Sequence, residues 1–349
     1  MERKLASIQK VVQIDAIPDA DKVECVKVLG WACVAKKGEF KVGDLVIYIE
    51  IDSLIPKDIW SGFLFKEGTT IERYRLKTVK MRGQVSQGLV LPVTVLYNCI
   101  SPTIKTLEEG DDVTSLMKIE KYEPPEDGDL NGNIKGSFPS FIHKTDETRI
   151  QTAPWILTAQ KGKKVYVTEK VDGSSATFYV KDGKFGVCSR NMEMAEQDFN
   201  AFWQIARKYD IEKKLRSGST MFGPADRNWA IQGELLGPKV NGNKYGLTEF
   251  LFKAFNMYDI DHQCNLHYAE FLSFTQTLDI PTVPQLGVEE LGDATVEQWV
   301  ERSKGRSILA DVPREGIVVR GIYEEDIYRY GKFSFKAINP DFLIKYKGD

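Results

Sequence analysis

The chain has 349 residues, 42% of them apolar and 28% charged, with a formal net charge of -3. That length and apolar content suffice for two hydrophobic cores, and the near-balance of charge argues against indiscriminate polyanion binding. No run approaches the ~20 apolar residues of a membrane-spanning helix, and the opening Met1-Glu2-Arg3-Lys4-Leu5 lacks a signal peptide's apolar stretch, so an intracellular protein, cytoplasmic or nuclear, is expected.

In chain order, residues 1–118 carry short alternating runs such as Val23–Leu29 and Asp44–Ile51, punctuated by Gly30, Gly38, Gly43 and Pro56. This pattern predicts a small β-barrel. Arg73, Arg75, Lys77, Lys80 and Arg82 crowd into ten residues. The first three alternate and would share one strand face, which suits tracking a phosphate backbone and equally suits a solvated surface. Residues 119–137 follow as an expected linker, with the acidic, Pro- and Gly-rich run Glu123-Pro124-Pro125-Glu126-Asp127-Gly128-Asp129-Leu130-Asn131-Gly132-Asn133 inside it.

Residues 138–349 carry the chemistry. Lys164–Thr168 alternates and is rich in β-branched residues, which predicts a strand with Lys170 at its end. The run Thr168-Glu169-Lys170-Val171-Asp172-Gly173-Ser174 then puts a candidate nucleophilic amine two residues before an aspartate, with a tight turn expected at Gly173. Alone, Asp-Gly beside a lysine reads as well as a plain hairpin with a solvated side chain. Further strands are expected at Lys184–Cys188, leading into Ser189-Arg190-Asn191, and at Leu251–Ile260. Ile231-Gln232-Gly233-Glu234-Leu235-Leu236-Gly237-Pro238, Glu315-Gly316-Ile317-Val318-Val319-Arg320 and Phe333-Ser334-Phe335-Lys336-Ala337-Ile338-Asn339 complete the ordered set. Gly162-Lys163-Lys164 lacks P-loop spacing. Five scattered cysteines (Cys25, Cys33, Cys99, Cys188, Cys264) without a Cys-x-x-Cys pair, and only three histidines, argue against structural zinc and for reduced thiols.

Taken in order, these motifs resemble those of the covalent nucleotidyltransferases: DNA ligases, RNA ligases and mRNA capping enzymes. The resemblance covers about residues 140–349. It is strongest to ATP-dependent RNA ligases of the branch with an N-terminal oligonucleotide-binding (OB) domain, through Phe138-Pro139-Ser140-Phe141, Lys144–Gln151 and Asn243-Lys244-Tyr245-Gly246-Leu247. In the front part, Pro18–Val23 and Gly38–Asp44 resemble OB folds. The implied architecture is α+β: an OB-like barrel over 1–118 that binds nucleic acid, a linker over 119–137, and a nucleotidyltransferase (ATP-grasp-like) domain of antiparallel sheets with flanking helices over 138–349.

The resemblance implies a role for each residue. Lys170 forms a lysyl-AMP with ATP; Asp172, Glu234 and Glu315 face Mg²⁺ or Mn²⁺; Lys336 neutralises the phosphate. An amine attacks only when neutral, and free lysine titrates near ~10.4, so Lys336 and the metal are expected to disfavour charge on Lys170. Glu169 and Gly173 belong to the nucleotide site, Arg149 and Arg190 engage phosphate and ribose, and Phe255, with Tyr258 as the other choice, stacks on adenine opposite Val318. Ser334 stands where many RNA ligases have the first of two lysines, with Lys332 or Lys345 as substitutes. The few residues after Lys336 leave the front barrel to stand in for an appended C-terminal domain. The implied partner is nicked or broken RNA, in RNA or RNA/DNA duplexes, acted on by a monomer without a membrane. DNA ligation, GTP-dependent capping and non-catalytic RNA binding are the competing readings.

Overall fold

The computed structural model describes residues 3–98, 107–123, 133–222, 227–323, 326–327 and 331–346. The chain forms two compact units: Met1–Pro124 with Ile150–Trp155 and Pro340–Asp349, and Pro125–Arg149 with Ile156–Asn339. This differs from a division at 118 and 137, because the strand Glu120–Lys121 pairs with Ser53–Pro56 and two later segments join the first unit. Within the expected linker, residues 124–132 lie outside the described residues, as do Cys99 and the side chain of Lys332.

In the first unit, the strands Ala6–Ala16, Val23–Val28, Trp31–Lys36, Leu45–Ile49 and Leu89–Pro92 form one antiparallel sheet in the spatial order third, second, first, fourth, fifth. The long first strand pairs on both sides and breaks register between Val11 and Gln13. Such a bulge lets one strand serve two halves of a curved sheet. Two apolar clusters result, one around Ile8, Ile47 and Trp60, the other around Val26, Trp31 and Tyr48. Leu343 packs on the second cluster, and Gln151 O accepts from Gly30 N (2.9 Å). This half-barrel is an OB fold.

The second unit has two main antiparallel sheets and, among the described residues, a small pairing of Asp326–Ile327 with Gly331–Lys332. The larger runs Ile134–Ser137, Met192–Met194, Lys184–Cys188, Ser174–Lys181, Trp229–Leu236, Leu251–Asp259, Cys264–Asn265. The helices Ala201–Lys208, Ile211–Phe222 and Tyr268–Thr277 cover one face, burying Phe178, Phe202, Trp229, Phe252 and Phe274 in a continuous core. The smaller sheet runs Gln285–Glu290, Lys164–Lys170, Gly316–Gly321, Ser334–Ile338. The helix Val296–Ser303 packs on it through Trp299, edge-on to Phe335 at 5.4 Å between ring centroids. The expected α+β architecture is what the chain adopts. No helix among the described residues is long and apolar enough to cross a membrane.

Candidate nucleotidyl-transfer site

Lys170 is the last residue of its strand, and Ser174 opens a strand of the other sheet. The Val171-Asp172-Gly173 link is therefore a crossing between sheets and not a hairpin turn. Gly173 is required for a different reason than a left-handed turn: a Cβ there would collide with the Leu235 carbonyl oxygen and the Leu236 side chain. The chain must pass this close to Trp229–Leu236 for Asp172 and Glu234 to approach one another.

Cross-strand register places the remaining groups. Lys170 lies opposite Gly316, Thr168 opposite Val318, and Val318 opposite Lys336. Directly opposed residues point to the same side of a sheet, so Lys170, Val318 and Lys336 share one face. Glu315, one residue before its strand, swings onto the lysine: Lys170 Nζ donates to both Glu315 carboxylate oxygens at 2.6 Å. A short bridge joins Arg149 to Lys336, whose backbone N–H donates to Thr148 O (2.8 Å). The structure thus brings Lys170, Asp172, Glu234, Glu315, Arg149, Val318 and Lys336 together.

Among the chain's own groups, the balance at Lys170 favours the charged form. Burial works to lower the Lys170 pKa, but the carboxylates of Glu315, Glu234 and Asp172 outweigh it and the pKa is raised. Lys336 is the depressed amine, lowered to about 7 by burial and by the charges of Lys170 and Arg149. The reason is proximity: Glu315 is in contact with Lys170, while Lys336 faces two cations. Glu234 is pushed up to about 8, first by desolvation and then by Glu315 and Asp172 against the pull of Lys170. A carboxyl group held this high beside other carboxylates is a place where an added cation would be stabilising.

Among the described residues, no group of three or more His, Cys, Asp or Glu side chains is arranged to hold a metal ion by itself. The all-oxygen set of Asp172, Glu234 and Glu315 has the ligand chemistry of Mg²⁺ or Mn²⁺, ions that usually keep several waters and touch substrate phosphate. Glu169 has the mark of a ligand contact. It is 1% exposed, its Oε2 accepts from Ile308 N (2.9 Å), and its Oε1 is buried without a hydrogen-bond partner. A buried carboxylate oxygen left this way calls for a donor from outside the chain.

Phe255 and Tyr258 separate cleanly. Gln232 pairs with Asn256 and Gly233 with Ala254, so Phe255 is the extra residue of a β-bulge. Bulges re-aim a side chain beside functional sites. Phe255 packs with Val171, Leu236 and Tyr245, and the Arg320 guanidinium lies 5.4 Å from its ring centroid. Tyr258 is fully buried in a different cluster with Tyr179 and Cys188. Cys188 is likewise core, its thiol pushed up by burial.

Other expected residues sit further out. Arg190 pairs with Asp146 at 2.9 Å in an exposed bridge, worth at most ~1 kcal/mol. Ser334 donates to Glu147, which also holds Arg320 through Nη2 (2.8 Å) and Nε (2.9 Å). A cation therefore does stand next to the serine, from the neighbouring strand, since Arg320 and Ser334 are direct partners. Lys345 belongs to the first unit. Within that unit, the strand Arg73–Arg75 is too short to include Lys77, which corrects the expected three-residue face. Arg73 pairs with Glu120 (2.6 Å), and Arg75 pairs with Asp52 (3.1 Å) and covers the Tyr122 ring (3.5 Å). Lys80 and Arg82 stand exposed on the hairpin Val79–Met81 and Gln84–Ser86.

The sequence reading gave no role to Lys244 or Tyr245, yet both touch the lysine motif: Lys244 Nζ lies 2.7 Å from Asp172 Oδ2, and Tyr245 OH accepts from Asp172 N (2.8 Å). The signal was present in Asn241-Gly242-Asn243, a run tolerant of left-handed backbone directly after the Glu234 strand.

Two family models match the chain, an OB-fold domain over residues 5–93 and RNA ligase over residues 163–338. No curated protein sequence is matched at a significant level. Among solved structures, a Naegleria gruberi RNA ligase variant with ATP and Mn is 39% identical with a TM-score of 0.87, covering 99% of each chain. The Naegleria gruberi RNA ligase with PPi is 40% identical at 0.87, covering 100% of both. A further variant of that enzyme with AMP and Mn is 39% identical, also at 0.87, over 99% of this chain and 100% of the other. Fold and site together define a nucleotidyltransferase preceded by an OB-fold domain. The chain belongs to the RNA ligase family.

Proposed function

We propose that the protein is an ATP-dependent RNA ligase that joins 3′-OH and 5′-phosphate ends. Lys170 attacks the α-phosphorus of ATP, an N–P bond forms as the bond to pyrophosphate breaks, and Lys170 carries AMP. The 5′-phosphate of the broken strand takes the AMP, and the 3′-OH then displaces it to close the phosphodiester. The observation that carries this reading is Lys170 at a strand end, held by Glu315 with Glu234 and Asp172 around it and Lys336 on the same sheet face.

Each side chain has work to do in that sequence. Glu169 Oε1 suits the exocyclic amine of adenine, and Phe255 and Val318 suit its two faces. Arg149 and Lys336 suit the phosphates, with Arg190 toward the ribose, and little covalent work is left beyond positioning and charge neutralisation. Asp172, Glu234 and Glu315 would hold Mg²⁺ or Mn²⁺, which when bound adds positive charge at the phosphates. With Glu315 engaged there, Lys170 would lose the carboxylate partner that favours its charged form, and its amine could give up a proton.

The substrate is nicked or broken RNA in RNA or RNA/DNA duplexes, sealed by a monomer in the cytoplasm or nucleus; the free, buried Cys25, Cys33 and Cys188 fit a reducing compartment. The OB-fold unit engages the 3′-OH side of the break, with Lys80 and Arg82 as phosphate contacts. α-Labelled ATP should label the protein and α-labelled GTP should not, while Lys170→Ala removes the label; labelling by GTP would instead indicate capping. Nicked substrates with ribose or deoxyribose on each side should be sealed only with ribose at the 3′-OH end. Sealing by a variant lacking the OB-fold unit would remove that unit's assigned role.

A further inference from the structure

Between Leu236 and Leu251 the backbone adopts an unusual path. Asn241, Gly242 and Asn243 have consecutive positive φ values of 42°, 70° and 48°, and Lys239 adds another at 63°. L-residues avoid this region, asparagine least, and a run of such residues persists only where its surroundings hold it. Asn243 closes the loop, its Nδ2 donating to Leu247 O (2.8 Å) and its Oδ1 accepting from Leu247 N (3.0 Å).

The conformation delivers three contacts to two residues of the lysine motif. Asn241 Nδ2 donates to Gly173 O (2.6 Å), Tyr245 OH accepts from Asp172 N (2.8 Å), and Lys244 Nζ reaches Asp172 Oδ2 (2.7 Å). The Lys244 and Asp172 side chains are only 6% and 13% exposed, so the pair is largely dry. Lys244 also donates to Asn241 O (3.1 Å), which ties its ammonium to the same loop. A buried carboxylate stripped of its counter-ion is costly, and here two lysines do the neutralising, Lys170 for Glu315 and Lys244 for Asp172.

We propose that Lys244 is an internal counter-ion that competes with the divalent cation for Asp172, so that metal entry releases Lys244 and metal loss restores the ion pair. This rests on the reading of Asp172 as a metal-facing carboxylate in the ligase reaction. Lys244 is a positioning residue, acting through Asp172 and not on the nucleotide. The strained loop is the element with room to change, because releasing Lys244 leaves the Asn241 and Tyr245 contacts to hold the motif in place.

Mn²⁺ alone, titrated into the nucleotide-free full chain and followed by the electron paramagnetic resonance of free Mn²⁺, tests the competition. Lys244→Met should bind Mn²⁺ about tenfold more tightly than the unmodified protein, Lys244→Arg should bind as the unmodified protein does, and Asp172→Asn should erase the gain of Lys244→Met. Equal or weaker binding by Lys244→Met, including no measurable binding by either protein, overturns the proposal. A second measurement avoids variants that misfold: acetylation of Lys244 in the unmodified protein, read by peptide mass spectrometry, should quicken several-fold when Mn²⁺ is added, and an unchanged rate contradicts the proposal. Protein that forms an AMP adduct on Lys170 but fails both tests keeps the ligase assignment and loses only this inference. Protein that forms no adduct loses the ligase assignment itself.

Discussion

Glu315 sits on Lys170 and favours its charged form, and this has a measurable consequence. Glu315→Gln removes the main interaction that raises the Lys170 pKa, so Lys170 should react faster with an acetylating reagent at pH 8, even as ligation falls. Slower labelling of Lys170 in that variant would contradict the assignment. Lys336 behaves in the opposite way. Its pKa of about 7 in the folded chain lies below the ~10.4 of an unfolded lysine, so the unfolded chain binds the extra proton between these values. The cost of burying Lys336 is full below pH 7 and is lifted as pH rises toward 10. Lys336→Met should therefore raise the melting temperature at pH 6, by about 2–4 °C for each kcal/mol recovered, with the difference shrinking at pH 9. The motif residues themselves were legible in sequence, since Lys170, Asp172 and Gly173 are neighbours whose chemistry is local. Lys244 and the Glu147–Arg320–Ser334 cluster were not: they depend on a left-handed loop, on the register that sets Arg320 opposite Ser334, and on the return of the distant Glu147 to that pair.

Strands set the geometry at the next scale up. β-Branched content and flanking polar residues located Lys164–Lys170 and Lys184–Cys188 well, although burial runs continuously over Val165–Glu169 and Gly186–Cys188 and does not alternate. What these signals do not show is which sheet a strand joins, and so the Asp172-Gly173 crossing read as a possible hairpin. The bulge at Phe255 was equally hidden, since an extra residue in one strand is defined only against its partner. That bulge leaves Phe255 half-buried at the edge of the cluster of Val171, Leu236 and Tyr245, while Tyr258 is fully buried. Phe255→Ala should raise the KM for ATP in self-adenylylation about tenfold or more, as expected for loss of base stacking worth ~1–3 kcal/mol, with little change in melting temperature. Tyr258→Ala should do the reverse and chiefly destabilise. An unchanged KM in Phe255→Ala would place adenine elsewhere.

At the scale of the whole molecule, the first unit is not a simple N-terminal piece. Thr152 Oγ1 donates to Glu50 (3.0 Å), Gly30 N donates to Gln151 O, and Leu343 packs with the cluster around Trp31 and Tyr48. A fragment ending at 124 loses these groups and should unfold at lower urea concentration than one to which 150–155 and 340–346 are tethered by short linkers; equal midpoints would show that those segments contribute nothing. Composition and turn residues sufficed to expect a barrel, whereas the return of the C-terminal helix Pro340–Tyr346 to this unit has no signature in local sequence. The central claim remains chemical, and intact and peptide mass spectrometry of the full chain after incubation with ATP and Mg²⁺ or Mn²⁺ tests it most directly. The account predicts one added adenylate, on the peptide carrying Lys170 and absent in Lys170→Ala. No adduct, or an adduct that persists on another residue in that variant, would contradict it.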